Sequence, residues 1–261
     1  MGYSRRGIAV SEPEEATQPS TANSSAHPFA GTRAAGAPRQ EWTLAIAGRL
    51  VLGAAILALL LVGVGLLLTH VWDSWTHTDG FLDRWFLAHR VMTWNRVTFV
   101  GSSLAQTTTA GAIAAVAFFA LRVWLRRWYE SLVLVVALGG EVLIFLTVTA
   151  IVHRPRPPVP RLDPAPPTSS FPSGHTAAAV TVFGFLAFVL WRYMANRWLA
   201  NLVCLLLLAL PVGVAISRVY RGAHYPSDVV GGAVLGVIWL SFVIRTLMPG
   251  STGEEEGTSR S

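Results

Sequence analysis

Six apolar runs, at about 43–69, 104–124, 131–152, 174–195, 199–217 and 227–247, divide this chain into oily stretches and short polar intervals. At 1.5 Å per helical residue, about 20 apolar residues cross the roughly 30 Å hydrocarbon layer of a bilayer, and each run meets that length. The pattern predicts an all-α integral membrane protein built as a six-transmembrane-helix bundle. The interval 70–103 is different in kind. Phe81, Leu82, Trp85, Phe86 and His89 stand at helical spacing among Asp79, Asp83, Arg84 and Arg90. That spacing predicts an amphipathic segment in the headgroup layer between helices 1 and 2, either an aromatic anchor or a lip over a lipid entry.

Outside the runs, residues 1–40 are rich in Ser, Thr, Ala, Gly and Pro and lack periodicity, so they are expected to form a disordered N-terminal tail. The membrane domain then occupies 41–248, and 249–261, with Glu254, Glu255 and Glu256, is a disordered acidic C-terminal tail. The first apolar run is too long for the core of a signal peptide, and no small-residue cleavage site closes it.

Composition agrees with a membrane chain. It is 52% apolar and 13% charged, about half the charge of a typical soluble domain. All twenty basic residues are arginine. Arg122, Arg126, Arg127, Arg192, Arg197 and Arg245 fall at the ends that the positive-inside rule assigns to the cytoplasm, which puts both termini inside. The expected location is the plasma membrane, multi-pass, with membrane lipids as surroundings and no nucleic-acid partner. Cys204 lies in an apolar run as a small buried residue with no cysteine to pair with. Glu141, inside the third run, must face the bundle interior or be protonated, with Arg49 as a conceivable partner.

Polar chemistry concentrates between His153 and Asp228, in three clusters: Arg154-Pro155-Arg156-Pro157, then Phe171-Pro172-Ser173-Gly174-His175, then Ser217-Arg218 with His224 and Asp228 beyond. With six spans, all three fall on one membrane face. Arginine offers a planar fork of donors that matches phosphate oxygens. Ser173 and Gly174 stand where a helix begins, so free N–H groups and the positive dipole end point at an anion. Pro226 suits a first helical position, which puts Asp228 in the first turn, within reach of His224. A carboxylate on one imidazole nitrogen fixes the tautomer and frees the other nitrogen to attack, leaving His175 to protonate a leaving oxygen. Eight prolines between 153 and 172 stiffen the connecting loop, where Asp163 reads as a turn residue. No carboxylate or histidine cluster has metal-ligand spacing, so neither metal nor cofactor is expected.

These clusters resemble the three-part signature of the type 2 phosphatidic acid phosphatase (PAP2) superfamily, which includes membrane lipid phosphatases. Pro172-Ser173-Gly174-His175 and Ser217-Arg218-x5-His224-x3-Asp228 match its second and third parts. The first part places a lysine seven residues before the Arg-Pro; counting back from Arg156 gives Thr149. The resemblance implies a hydrolase acting on a lipid phosphate or pyrophosphate, of the polyprenyl pyrophosphate, phosphatidic acid or phosphatidylglycerophosphate class, at the extracytoplasmic face. It makes His224 the nucleophile that forms a phosphohistidine, Asp228 its orienting carboxylate and His175 the acid and then the base. Arg156, Arg218, Ser173 and Gly174 would hold the phosphate oxygens. Arg154 is the first candidate to replace the missing lysine's charge and Arg221 the second. A carrier that keeps the phosphate cradle without catalysis is the alternative reading; it would need the arginines but not the two histidines and the aspartate.

Overall fold

The computed structural model describes residue 2 and residues 44–71, 73–104, 106–164 and 168–249. Both expected tails lie outside the described residues, apart from Gly2 and Pro249. Eight helices and no strands occur among the described residues: α1 Leu44–His70, α2 Asp73–Ala88, α3 Met92–Leu104, α4 Thr107–Leu125, α5 Tyr129–Val152, α6 Gly174–Tyr193, α7 Arg197–Tyr220 and α8 Pro226–Leu247. Of these, α1, α4, α5, α6, α7 and α8 are long and apolar enough to span a bilayer, and they coincide with the six expected runs.

In lipid the backbone must bond within its own segment, so each apolar run closes as a helix whatever its face. What then selects neighbours is close packing and small residues, because lipid tails are as apolar as leucine. α6 packs most extensively on α7 and α8, α1 on α5, and α3 on α7. The core is a column of α5 residues at helical spacing, Val133, Leu134, Ala137, Ile144 and Val148, against Phe185, Val189, Leu235, Trp239 and Val243. Gly140 makes room for the Trp239 indole, whose Nε1 donates to the Ala137 carbonyl at 2.8 Å; a Cβ at 140 would stand 2.1 Å from the ring. On α8, Gly232 and Gly236 are four apart and face α6, where a Cβ at 232 would lie 2.3 Å from the Ser173 carbonyl oxygen. Leu205, Leu206, Leu143 and Val116 are exposed, as the lipid-facing surface of such a bundle requires.

The interval 70–103 holds two helices, α2 and α3, and α3 lies against α7 with Thr98 and Ser102 buried. In α2 the amphipathicity is turned outward. Phe81, Leu82 and Trp85 are exposed, whereas Asp79 and Asp83 are buried. The exposed apolar face is the one an anchor or a lip would use, and the acidic face is packed onto the protein. Glu141 is buried with its Oε2 unpartnered, while Arg49 is exposed and makes no ion pair with it, so the conceivable Arg49 partnership does not form.

Candidate active site

The three polar clusters converge where α5 ends, α6 and α8 begin and α7 ends. His224 sits in the turn between α7 and α8 and is 3% exposed. Its Nδ1 lies 2.7 Å from the Ser170 carbonyl oxygen, and its Nε2 lies 3.4 Å from Arg156 Nη1. A carbonyl can only accept and a guanidinium can only donate, so both contacts select one tautomer: Nδ1 carries the proton and Nε2 presents its lone pair. Burial, opposed by Asp228, pushes the imidazole pKa below its usual value and keeps the ring neutral at neutral pH.

Asp228 is placed differently from the expectation. Its Oδ2 is 3.8 Å from His224 Nδ1, beyond hydrogen-bond length, so the tautomer is set by the Ser170 carbonyl and the carboxylate acts on the ring through its charge. The reason is competition. Asp228 is the third residue of α8, and its Oδ2 accepts the Tyr225 N–H at 2.9 Å as a helix cap. Its Oδ1 takes Arg154 Nη1 at 2.5 Å.

Arg154 is thereby removed from the phosphate-binding set. It is 3% exposed, bonds Asp228 and Ser227 through Nη1 and Asp79 Oδ2 through Nη2 at 3.0 Å, and stacks over Tyr225 at 4.5 Å. A guanidinium held between two carboxylates has its donors committed. Arg221 is committed too: its Nε and Nη2 grip Asp163 at 2.7 and 2.6 Å. Neither replaces the missing lysine. Thr149 does not either, because its hydroxyl donates back into α5, to the Phe145 and Leu146 carbonyls.

Asp163 is more than a turn residue. Besides Arg221, it accepts from Arg218 Nη1 at 3.2 Å and from the Ser102 hydroxyl at 2.7 Å. Burial alone would raise its carboxyl, but the Arg221 and Ser102 hydrogen bonds, with Arg218 nearby, hold it below the usual carboxylate range. Arg218, bonded also to the Ser102 hydroxyl at 2.7 Å, keeps Nε unpartnered, as does Arg156. Arg156 donates to the Ala223 carbonyl at 2.8 Å, and burial lowers its pKa from the usual value, although a guanidinium remains charged.

At the start of α6, the Ser173 N–H donates to the Asp228 carbonyl at 2.9 Å, tying α6 to α8. Ser173 is fully buried and its hydroxyl accepts from Thr176 at 3.1 Å; no side chain caps the helix, so the first-turn N–H groups lack intrahelical partners. Gly174 is required by packing, since a Cβ there would stand 2.8 Å from Phe145. His175 is the next residue, with Arg218, His224, Asp163 and Arg156 as its titratable neighbours. The structure thus gathers His224, His175, Arg156, Arg218, Ser173 and Gly174, and holds Arg154 and Asp228 together just behind them.

The family model described as PAP2 superfamily matches residues 130–249. Phosphatidylglycerophosphatase B of Bacillus subtilis is 30% identical over 156 residues, covering 57% of this chain and 70% of that protein. The chain belongs to the PAP2 superfamily. Undecaprenyl-diphosphatase BcrC of the same organism is another PAP2 relative, 31% identical, with 52% of this chain and 69% of that protein covered. The match to the bacitracin transport permease protein BcrC of Bacillus licheniformis, 40% identical over 78 residues, spans 30% of this chain but only 34% of that protein. In fold, the chain is similar to a crystal structure of a transmembrane PAP2 type phosphatidylglycerolphosphate phosphatase from Bacillus subtilis, with a TM-score of 0.63 at 24% identity over 74% of this chain and 92% of that one.

Sequence reasoning missed Asp79, the Ser170 and Ala223 carbonyls, and the role of Asp163. Asp79 and Asp83, four apart on the face of α2 opposite Phe81 and Trp85, carried a signal for a buried acidic face. The carbonyls carried none, since any residue supplies one.

Proposed function

We propose that this chain is a membrane-embedded phosphatase that hydrolyses a lipid phosphate or pyrophosphate through a phosphohistidine on His224. The observation that carries the reading is the pair of contacts on His224, which leaves a neutral Nε2 lone pair beside Arg156. The names of two PAP2 relatives, a phosphatidylglycerophosphatase and an undecaprenyl-diphosphatase, support a phospholipid phosphate or a polyprenyl pyrophosphate as substrate.

In this reading the phosphoryl group lies among Arg156, Arg218 and the first N–H groups of α6. Nε2 of His224 forms the N–P bond as the P–O bond to the lipid breaks, and His175 gives its proton to the departing oxygen. His175 then takes a proton from water as the water oxygen attacks phosphorus, which breaks the N–P bond and releases phosphate with both rings restored. Buried arginines and helix N–H groups are worth most here, because phosphoryl transfer is catalysed chiefly by positioning and charge. The charge this mechanism needs comes from arginine, not from a metal. The apolar tail stays in the bilayer while the headgroup reaches the outer face; the inner-end arginines support that orientation.

The test is phosphate release by the purified protein, in excess chelator, from phosphatidic acid, phosphatidylglycerophosphate and polyprenyl pyrophosphate. His224→Ala should abolish release. His175→Ala should lose about 10²–10⁴-fold, and least on an aryl phosphate, whose leaving group needs little protonation. Undiminished release by His224→Ala would refute the mechanism, and no release from any lipid by the wild type would favour a carrier.

A further inference from the structure

Behind His224 stands a chain of alternating charges that begins on the interfacial helix α2. Asp79 accepts Arg154 Nη2 at 3.0 Å, the Ser227 N–H at 3.2 Å and the Ser227 hydroxyl. Arg154 donates onward to Asp228 Oδ1 at 2.5 Å, and Asp228 Oδ2 faces His224 Nδ1 at 3.8 Å. All three charged groups are buried, so neither water nor salt screens them well. With Arg154 bound to Asp228 alone, guanidinium and carboxylate would cancel, and His224 would face a neutral pair. With Asp79 added, two carboxylates share one guanidinium, and the cluster keeps one net negative charge.

That surplus is what the proposed chemistry calls for. As Nε2 attacks phosphorus the ring becomes positive, and a fixed negative charge beside Nδ1 stabilises it. We propose that Asp79 is a positioning residue for catalysis: held by Arg154 and Ser227, it supplies the net negative charge that backs His224 and ties α2 to the active site. Asp79 touches neither histidine and acts only through Arg154 and Asp228. The proposal rests on His224 being the nucleophile, as above. It also explains why α2 turns its acidic face inward and leaves Phe81, Leu82 and Trp85 exposed: only the outward face is needed to hold the membrane surface.

The experiment compares wild type, Asp79→Asn, Asp79→Glu and His224→Ala as full-length protein in detergent micelles, measuring kcat, KM and the pH profile of kcat/KM. The groups around the cluster and the His224 ring are Asp83 and Arg84 on α2, Arg154 on the loop, His175 at the start of α6, Tyr225 and Asp228 at α8, and Arg156 and Arg218 across the site. The substitution replaces none of them, but it removes the Asp79 charge that helps to raise the Asp83 carboxyl and the Tyr225 hydroxyl. Removing a nearby negative charge makes an imidazole harder to protonate, so the acidic limb assigned to His224 should move to lower pH. Asp79→Asn is expected to lower kcat about 10- to 100-fold, by analogy with the outer-shell carboxylates that back metal-ligating histidines, with KM within about twofold. Asp79→Glu should restore part of kcat and return the limb towards its original position. A wild-type kcat and unshifted limb in Asp79→Asn would overturn the proposal. So would a loss of kcat with no shift of the limb and no rescue by Asp79→Glu, which marks a purely structural role. Full activity in His224→Ala would instead overturn the underlying mechanism, so the two failures are distinct.

Discussion

The contact between α8 and the start of α6 leaves no room for a methyl group, and Gly232→Ala tests what that closeness does. A Cβ at 232 would stand 2.3 Å from the Ser173 carbonyl oxygen and 3.3 Å from Thr176 Cβ. The obstacle at 2.3 Å is backbone and cannot rotate away. Reaching ordinary contact, near 3.4 Å, requires the two helices to part by about 1 Å at this level. The displaced residue is Ser173, whose N–H is bonded to the Asp228 carbonyl at 2.9 Å and which precedes Gly174 and His175. A misplacement of about 1 Å in a site that works by positioning costs on the order of 10²-fold, or about 2.7 kcal/mol of transition-state stabilisation. Gly232→Ala is therefore expected to lose about 100-fold in kcat. The assay is steady-state phosphate release by folded protein isolated by size exclusion, with Gly139→Ala, where nothing lies within 4 Å, as the control at wild-type rate. A Gly232→Ala enzyme within about threefold of wild type would refute the claim that this contact sets the catalytic geometry.

Two further outcomes are expected. Burial, with the Asp228 and Asp79 carboxylates nearby, raises the Asp83 carboxyl from 3.8 to about 7, so the folded protein holds a proton that the unfolded chain releases. That contribution to stability is fully present below about pH 4 and is lost as pH rises through about 7; the melting temperature should fall across this window, and Asp83→Asn should flatten that part of the profile. A profile unchanged by Asp83→Asn would contradict the assignment. Thr168, exposed in the proline-rich loop beside Arg156, reports the face of the site: in a Cys204→Ser background, Thr168→Cys should react with an impermeant thiol reagent in intact cells. Labelling only after the membrane is opened would reverse the orientation.

The spans and the candidate site residues were legible in the sequence for different reasons. A run of about 20 apolar residues has one solution in a bilayer, because an unpaired backbone group in lipid costs several kcal/mol, so composition and length alone determine α1 and α4 to α8. His175, His224, Arg156 and Arg218 could be singled out because phosphate chemistry needs those groups and an apolar chain has little other use for them. Pairing is another matter. Arg154, Arg156, Arg218 and Arg221 are chemically identical in a sequence, and each could bind phosphate or a carboxylate. Only the tertiary structure divides them, committing Arg154 to Asp79 and Asp228 and Arg221 to Asp163, partners 58 to 75 residues away. The same holds for His224, whose tautomer depends on a carbonyl 54 residues earlier and not on the aspartate one turn ahead. Hydrogen bonds are short and directional, and which donor meets which acceptor is decided by where helix ends and loops come to rest. Local sequence determines the elements; the packing of α2, α5 and α8 decides which charges are spent on one another and which remain for a substrate.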